Sequence, residues 1–306
     1  MKILLLGKNG QVGWELQRSL APLGELVALG SRTEDNPVLD GRVLQADFLQ
    51  PQALAETVQR VRPDVIVNAA AYTAVDKAQG EPEKARRVNA TAVGVLAQEA
   101  TRLGAALVHY STDYVFDGSD ERPWREDDAT APLNVYGQTK LEGEQLIRQH
   151  VARHLIFRTS WVYAARGGNF AKTMLRLGQE KSALTVINDQ HGAPTGAELI
   201  ADVTALAMRQ LMQDAACAGL YHLVAGGETT WHGYASHVLE RARQAGVPIQ
   251  VPADAIRPVP TSAFPTPAAR PANSRLATER LRQTFGIHLP DWRLGVDRML
   301  AEILPS

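Results

Sequence analysis

Tyr136 and Lys140 are the two residues whose types and spacing most directly suggest chemistry. On a helix, a separation of four positions places both side chains on one face, one turn apart. A phenol exchanges protons poorly near neutral pH, and an adjacent ammonium lowers its pKa toward the working range. The pair is a candidate proton donor and the cation that tunes it; because this spacing is common, two unrelated helix side chains are the alternative.

A hydroxyl from Ser111 or Thr112 is expected to join this pair. Both residues end an apolar run that predicts a buried strand, and ligands of open α/β sheets bind at the carboxyl ends of strands. Alternation along a strand places the two side chains on opposite faces, and the sequence leaves open which one faces the cleft. We take Thr112 as the hydrogen-bond donor to the substrate oxygen that Tyr136 protonates.

A glycine loop near the N-terminus predicts a dinucleotide site. Gly7, Gly10 and Gly13 lie between the first predicted strand and the first predicted helix, in the variant spacing G-x-x-G-x-x-G. Glycines there permit a sharp turn, close approach of the pyrophosphate and tight packing of helix on strand. The free N–H groups and positive dipole end of the helix suit a phosphate.

The end of the second predicted strand favours NADPH, although NADH is also considered. An NAD site usually has Asp or Glu there, which binds the ribose 2′-hydroxyl. This chain has Gly30, Ser31 and Arg32 instead. Ser31 can donate to a 2′-phosphate and Arg32 can bind it through two parallel charged hydrogen bonds. The alternative is that Arg32 is a solvated loop residue.

Two further segments fit a cofactor, with a purely structural role as the alternative. Asp47 follows the third predicted strand and can accept from the adenine amino group, while Phe48 packs on the ring. The small residues at 69–71 let a cofactor lie across the end of the fourth strand. Trp14, Trp231 and Trp292 are expected to serve packing rather than recognition.

The elements that would position these residues alternate between strand and helix over the first 160 residues. Strands are predicted at 2–6, 25–29, 43–46, 64–68, 106–111 and 155–159. Helices are predicted at 12–23, 52–61, 83–103 and 136–150. Short strands that are apolar on both faces, joined by helical crossovers, predict a Rossmann-type doubly wound parallel sheet.

After residue 160 the alternation loosens, which predicts a smaller α/β substrate domain over 161–306, interleaved with a dinucleotide-binding domain over 1–160. Helices are expected at 170–179, 197–212, 231–245 and 291–303, and strands at 184–187 and 220–223. Some of these later segments are expected to return to the first domain. Seven of the 17 prolines fall within 247–273, which excludes a central strand or helix there.

Composition limits the classes of partner. With 32 Lys and Arg against 33 Asp and Glu, the net charge of −1 offers no basic excess for nucleic acid or an anionic membrane. No run approaches the ~18 apolar residues of a membrane span, and the N-terminal apolar run is too short for a signal peptide. The single Cys217 cannot form an internal disulfide. We expect a cytoplasmic protein.

The motifs together resemble the extended short-chain dehydrogenase/reductases and, within them, the dTDP-4-dehydrorhamnose reductases. The similarity extends over nearly the whole chain. The most specific matches are Ser-Thr-Asp-Tyr-Val-Phe at 111–116 and Asp-Gln-His-Gly-Ala-Pro-Thr at 189–195; others lie at 7–16, 62–76, 134–144, 157–163 and 219–223. The resemblance implies NADPH-dependent reduction of the 4-keto group of dTDP-4-dehydro-L-rhamnose, the last step of dTDP-L-rhamnose synthesis.

Residue roles follow from the resemblance by position. Tyr136 would be the proton donor, Thr112 and Asp113 would contact the sugar, and Trp161 would line its pocket. Lys140 would bind the nicotinamide ribose. The resemblance also implies cofactor contacts from Gly10, Gln11, Val12, Asp47, Phe48, Ala71, Tyr72, Thr73 and Tyr110. Gly30 departs from the acid common in relatives, which agrees with the NADPH preference.

The resemblance further implies a homodimer linked by Mg²⁺ through Glu15, Glu198 and Glu302, since carboxylates suit a hard cation. Three unrelated surface acids are the alternative. Two other functions stay open: a nucleotide-sugar epimerase or ketoreductase of other stereochemistry, and a regulatory subunit that binds NADP(H) without turnover. An intact set of Thr112, Tyr136 and Lys140 speaks against a pure binder.

Overall fold

The computed structural model describes residues 1–305, and its strands are short. They are β1 (Lys2–Leu6), β2 (Glu25–Leu29), β3 (Val38–Leu39), β4 (Arg42–Val43), β5 (Val65–Asn68), β6 (Ala106–Thr112), β7 (His154–Thr159), β8 (Val162–Tyr163), β9 (Leu184–Ile187), β10 (His191–Gly192), β11 (Thr195–Gly196), β12 (Gly219–His222), β13 (Thr229–Thr230) and β14 (Ile256–Val259). Six of them form one parallel sheet in the order β12-β7-β6-β5-β1-β2. The predicted doubly wound parallel sheet is confirmed.

Helices alternate with these strands along the chain. They are α1 (Gln11–Leu20), α2 (Pro51–Val61), α3 (Val75–Gly80), α4 (Pro82–Arg86), α5 (Ala92–Leu103), α6 (Val135–His150), α7 (Phe170–Glu180), α8 (Ala197–Gln213), α9 (Trp231–Gln244), α10 (Glu279–Phe285) and α11 (Trp292–Ile303). None of the helices within the described residues is both long and apolar enough to cross a membrane.

The sheet is covered on both faces because its strands are apolar on both sides. Ile3 and Leu5 of β1 pack into a core with α1 and α8, whereas Leu4 and Leu6 pack into a second core with α2 and α5. This is the period of two expected of a buried parallel strand. The chain reverses direction across the sheet between β1 and β5, which opens a crevice at their carboxyl ends.

A third core lies in the later part of the chain and joins α7, α9 and α11. Two segments from this half return to the sheet: α8 packs against α1, and β12 pairs with β7. These are the later segments whose return the sequence predicts. The domain boundary at residue 160 itself stays a prediction.

The predicted strand at 43–46 is wrong as a member of the sheet. Only Arg42–Val43 is extended, and it pairs antiparallel with Val38–Leu39 in a small hairpin. Leu44 and Ala46 are nonetheless buried beneath the sheet, which explains the apolar run. The sixth strand of the sheet is β12 instead. Apolarity shows that a segment is buried, and it does not reveal which strand it pairs with.

Two other predictions are refined by the structure. The predicted helix 83–103 is divided into α4 and α5 by a π-helical turn at Arg87–Thr91. The proline-rich segment contains β14, which pairs only with β9 and so tolerates Pro258 at a sheet edge. Helices α3 and α10 were not predicted.

Candidate active site

The glycine loop forms the floor of a groove at the crevice between β1 and β5. Gly7 has a φ of +89°, and a Cβ there would lie 2.7 Å from backbone atoms of Ala69 and Ala70. A Cβ on Gly13 would lie 2.0 Å from the Gly7 carbonyl oxygen. Only glycine fits either position, so the loop turns sharply and α1 packs directly onto it. The N-terminus of α1 then faces the groove.

The groove consists of two cavities that share Gly10, Ala69 and Ala71. The first, of about 330 Å³, we call the adenosine cavity, and the second, of about 450 Å³, the catalytic cavity. Predicted cofactor residues that line the adenosine cavity are Gly7, Gly10, Gly30, Ser31, Asp47, Phe48, Ala71 and Tyr72. Those that line the catalytic cavity are Gly10, Gln11, Val12, Ala71, Thr73, Tyr110 and Lys140. An extended dinucleotide fits this division.

Two of the predicted cofactor residues line neither cavity. Gly13 acts through packing, as described above. Arg32 is exposed and directly follows Ser31, which lines the adenosine cavity. Its role in binding a 2′-phosphate stays a prediction.

Gly30 explains why no acid occupies the end of β2. A Cβ at this position would lie 2.6 Å from Asn9 Nδ2 and 3.5 Å from Lys8 Cε. The Lys8 ammonium donates to the Asp35 carbonyl and therefore also lies beside this strand end. Lys8 thus places one cationic side chain near the end of β2, which agrees with the prediction that NADPH is preferred.

The catalytic cavity brings together Tyr136, Lys140, Thr112, Asp113 and Trp161. Tyr136 and Lys140 extend from the first turns of α6. Thr112 is the last residue of β6, Asp113 follows it, and Trp161 follows β7. Helix α6 begins at this point because the Asn134 side chain accepts a hydrogen bond from the Gly137 N–H at 2.8 Å.

Burial determines the protonation of Tyr136. It raises the pKa of the phenol to about 12, and the nearby Thr112 hydroxyl only partly offsets this shift. That Lys140 lowers the pKa of Tyr136 stays a prediction: in this structure the Lys140 ammonium donates to the Tyr110 carbonyl at 2.5 Å, and burial dominates the shift of the phenol. Tyr136 is therefore protonated at neutral pH and available as a proton donor.

Asp113 is a buried carboxyl group beside Thr112. The Thr112 hydroxyl donates to its Oδ1 at 2.9 Å, while its Oδ2 has no hydrogen-bond partner. Burial raises the pKa of Asp113 to about 6. A buried oxygen without a partner is costly, so the cavity offers an acceptor that a ligand hydroxyl can satisfy.

Two tryptophans close the far side of the cavity. Trp161 has a φ of +48°, unusual for a residue with a side chain, and its ring stacks on Trp231 at a centroid distance of 3.7 Å. Trp231 packs on Trp161, as expected, and also lines the catalytic cavity; the expectation that it serves packing rather than recognition stays a prediction. No local sequence pattern predicts that Trp231 lines the cavity, because it stacks on a residue 70 positions away. Trp292, in contrast, is buried in the third core.

The three predicted metal ligands line a separate cavity of about 240 Å³. Burial and the Glu198 charge raise the pKa of Glu15. Arg298 lies 3.2 Å from Glu198 and 4.0 Å from Glu302, so a guanidinium offsets part of the negative charge of the cluster. Within residues 1–305 no group of three His, Cys, Asp or Glu side chains could hold a metal ion. The role of these three carboxylates in binding Mg²⁺ stays a prediction.

Known proteins resemble this chain over its whole length. The model of the RmlD substrate binding domain family matches residues 1–304. The chain belongs to this family. It is 59 % identical over 306 residues to a dTDP-4-dehydrorhamnose reductase of Shigella flexneri, covering 100 % of this chain and 99 % of that one.

Solved structures agree over the full chain. A dTDP-4-dehydrorhamnose reductase of Clostridium acetobutylicum is 32 % identical, with a TM-score of 0.87 and 99 % of each chain covered. The same enzyme of Bacillus anthracis, solved in complex with NADP, is also 32 % identical, with a TM-score of 0.84 and coverage of 98 % and 99 %. The Rossmann-type fold and a nicotinamide cofactor are thereby confirmed.

Arg32→Ala is expected to weaken NADPH binding about tenfold or more, because a hydrogen-bonded charge contributes roughly 1.5–3 kcal/mol. Affinity for NADH should change little, since NADH carries no 2′-phosphate. Fluorescence titration with both cofactors measures this. Arg209→Ala, an exposed arginine of α8 outside both cavities, is the matched control. Equal losses for NADPH and NADH would refute a 2′-phosphate contact.

Proposed function

We propose that this protein is an NADPH-dependent reductase that converts dTDP-4-dehydro-L-rhamnose to dTDP-L-rhamnose. The observation that carries the proposal is the catalytic cavity, where a protonated phenol, a buried lysine and a strand-end hydroxyl meet beside the glycine loop. The family membership and the names of the relatives support the same reaction and substrate.

A dinucleotide fits the groove because the floor of the groove is glycine backbone. The small residues Ala69 and Ala71, which line both cavities, leave room for it. NADPH bound there supplies the hydride that reaches C4 of the sugar. Lys140 would hold the nicotinamide ribose, and Asp47 and Phe48 the adenine. Phe48 lines the cavity but is almost completely buried, so it offers little exposed surface to the base.

The chain's own part in the reaction is to supply a proton and stabilise charge. As the C4 oxygen gains negative charge, Tyr136 donates its proton to it. The Thr112 hydroxyl donates a hydrogen bond to the same oxygen, and the Lys140 charge lowers the cost of the anion in a water-poor cavity. Asp113 Oδ2, which lacks a partner, would accept from a sugar hydroxyl.

The nucleotide part of the substrate has room in an adjoining cavity of about 230 Å³. Tyr114 and Trp231 belong to both this cavity and the catalytic one. Its walls include Phe264, an exposed aromatic ring, and Arg270, whose guanidinium also pairs with Asp76 at 2.7 Å. An aromatic surface for a base and a cation for a diphosphate match a nucleotide sugar.

We also propose a homodimer in which two copies of the cavity at Glu15, Glu198 and Glu302 meet around Mg²⁺. The proposal is supported by the three carboxylates that line one cavity. Within the described residues of one chain they do not form a group that could hold a metal ion, so a second copy would have to complete the site. A cytoplasmic location is proposed from the lone, buried Cys217, which suits a reducing compartment.

Chelation tests the proposed metal link. Light scattering of the purified protein should give the mass of two chains with Mg²⁺ and a smaller mass after EDTA. Glu198→Gln should weaken the dimer in the same direction, because it removes one carboxylate from each copy. A dimer that is unchanged by EDTA would contradict the role of the metal.

Tyr136→Phe is expected to lower turnover by a factor on the order of 10²–10⁴, because it removes the proton donor and leaves the ring in place. NADPH affinity should stay nearly unchanged. The assay follows NADPH oxidation with dTDP-4-dehydro-L-rhamnose by absorbance and identifies the product by NMR. Tyr221→Phe is the control: its hydroxyl donates to the Cys217 carbonyl, outside the cavity.

The same assay separates the proposal from its alternatives. Survival of turnover in Tyr136→Phe would contradict the assignment of the proton donor. An epimerase would retain NAD through purification and consume no NADPH. A regulatory subunit would bind NADPH and turn over no sugar.

A further inference from the structure

A chain of three buried polar groups runs from the end of β5 to α6, beneath the catalytic cavity. Asn68 Nδ2 lies 3.0 Å from His109 Nδ1, and His109 Nε2 lies 3.2 Å from Lys140 Nζ. The exposed fractions of the three residues are 1 %, 0 % and 2 %. Because these side chains are almost completely buried, each is expected to have a hydrogen-bond partner within the chain.

The first link determines where the imidazole carries its proton. The Asn68 carbonyl oxygen accepts from the Ala70 N–H at 3.1 Å, which directs the amide NH₂ toward His109. An amide NH₂ only donates, so His109 Nδ1 must accept. Burial and the Lys140 charge lower the pKa of His109 well below its ordinary value. The neutral ring therefore carries its single proton on Nε2.

The second link is then unfavourable for an ammonium. The His109 Nε2–H group points at Lys140 Nζ, and an ammonium has no lone pair with which to accept. A neutral amine can accept this hydrogen bond while it still donates to the Tyr110 carbonyl. Burial acts in the same direction and lowers the pKa of Lys140 to about 8.

The other ionisable groups around Lys140 do not remove this conflict. Glu144 on α6 favours the ammonium, but both its oxygens bind Arg158 of β7, at 2.9 and 2.7 Å. From the cavity side the phenols of Tyr136, Tyr110 and Tyr114 are protonated at neutral pH, since burial raises the pKa of each. The Asp113 carboxyl group accepts a hydrogen bond from the Thr112 hydroxyl.

We propose that Asn68 and His109 are positioning residues that hold the His109 ring in its Nε2–H tautomer, so that Lys140 faces a donor and releases a proton more readily than a lysine in water. The catalytic consequence rests on the proposed function. The Lys140 ammonium stabilises the tyrosinate that remains after Tyr136 has donated its proton. Turnover therefore falls as pH rises through the pKa of Lys140, when Lys140 loses its proton to solvent.

The Asn68→Asp substitution tests the proposal, because it reverses the direction of the hydrogen bond between residue 68 and His109 Nδ1. A carboxylate accepts from both the Ala70 N–H and His109 Nδ1–H, which moves the ring proton to Nδ1 and makes Nε2 an acceptor for the ammonium. The proton affinity of Lys140 should rise about tenfold, one pKa unit, or more. The alkaline fall in turnover should move to higher pH by the same amount.

The His109→Phe variant distinguishes an effect transmitted through the His109 ring, which we call the relay, from the direct electrostatic effect of the introduced carboxylate. In the His109→Phe background, Asn68→Asp should shift the pKa of Lys140 much less, because no ring nitrogen connects the two residues. The pKa is read by NMR of ¹⁵N-lysine-labelled protein, in which only seven lysines contribute. Lys140→Met assigns the signal. Equal shifts in both backgrounds would overturn the proposal.

The wild-type protein provides a second test that needs no substitution. Long-range ¹H–¹⁵N correlation of the His109 ring should show an unprotonated Nδ1 and a protonated Nε2. The opposite tautomer would overturn the proposal even if Asn68→Asp did not fold. Both NMR readouts are independent of the substrate. Absent turnover with the expected tautomer and Lys140 shift would therefore refute the proposed function and leave the relay intact.

Discussion

The catalytic cavity depends on how closely α6 approaches the chain that follows β6. A Cβ on Gly137 would lie 2.1 Å from the Tyr114 carbonyl oxygen, so any side chain there would push the helix away. Gly137 lies directly after Tyr136, and the contact fixes the depth at which the phenol enters the cavity. The rings of Tyr114 and Tyr136 then meet edge to face, with centroids 5.8 Å apart. One close contact of backbone on backbone thus positions the phenol against Thr112.

A buried ion pair secures the same helix from the other side. Glu144 and Arg158 form two parallel hydrogen bonds and are almost completely inaccessible to solvent. Removing one partner of such a pair costs about 3–5 kcal/mol, because the other charge is left buried and uncompensated. The pair joins α6 to β7, the strand that leads to Trp161. Helix and strand therefore bring the proton donor and the cavity wall together as one rigid unit.

Much of this arrangement follows from local sequence. The glycine loop, the Tyr136–Lys140 spacing and the position of Thr112 at a strand end rest on the geometry of neighbouring residues, which a sequence pattern can express. The strands of the sheet are recognisable for the same reason, since β1 and β6 are apolar on both faces. The run at 43–46 shows the limit: its burial was predictable, but its pairing partner is chosen by the rest of the fold.

The chemistry of the site is harder to predict because it depends on contacts between distant residues. The pKa of Tyr136 is governed mainly by burial, which the four-residue spacing does not reveal. His109 lies on an apolar strand and is typical of a packed core residue until Asn68 and Lys140 are placed on either side of it. Trp231 becomes part of the cavity only through its stacking on Trp161.

The central claim is that the reacting carbon of the sugar meets the nicotinamide ring beside Tyr136. Transfer of deuterium tests this most directly: NADPH that carries deuterium at both C4 positions is oxidised with dTDP-4-dehydro-L-rhamnose, and the product is examined by NMR. The account predicts one deuterium at C4 of the sugar for each NADPH consumed. A product that carries only protium at C4, or deuterium at another carbon, would contradict it.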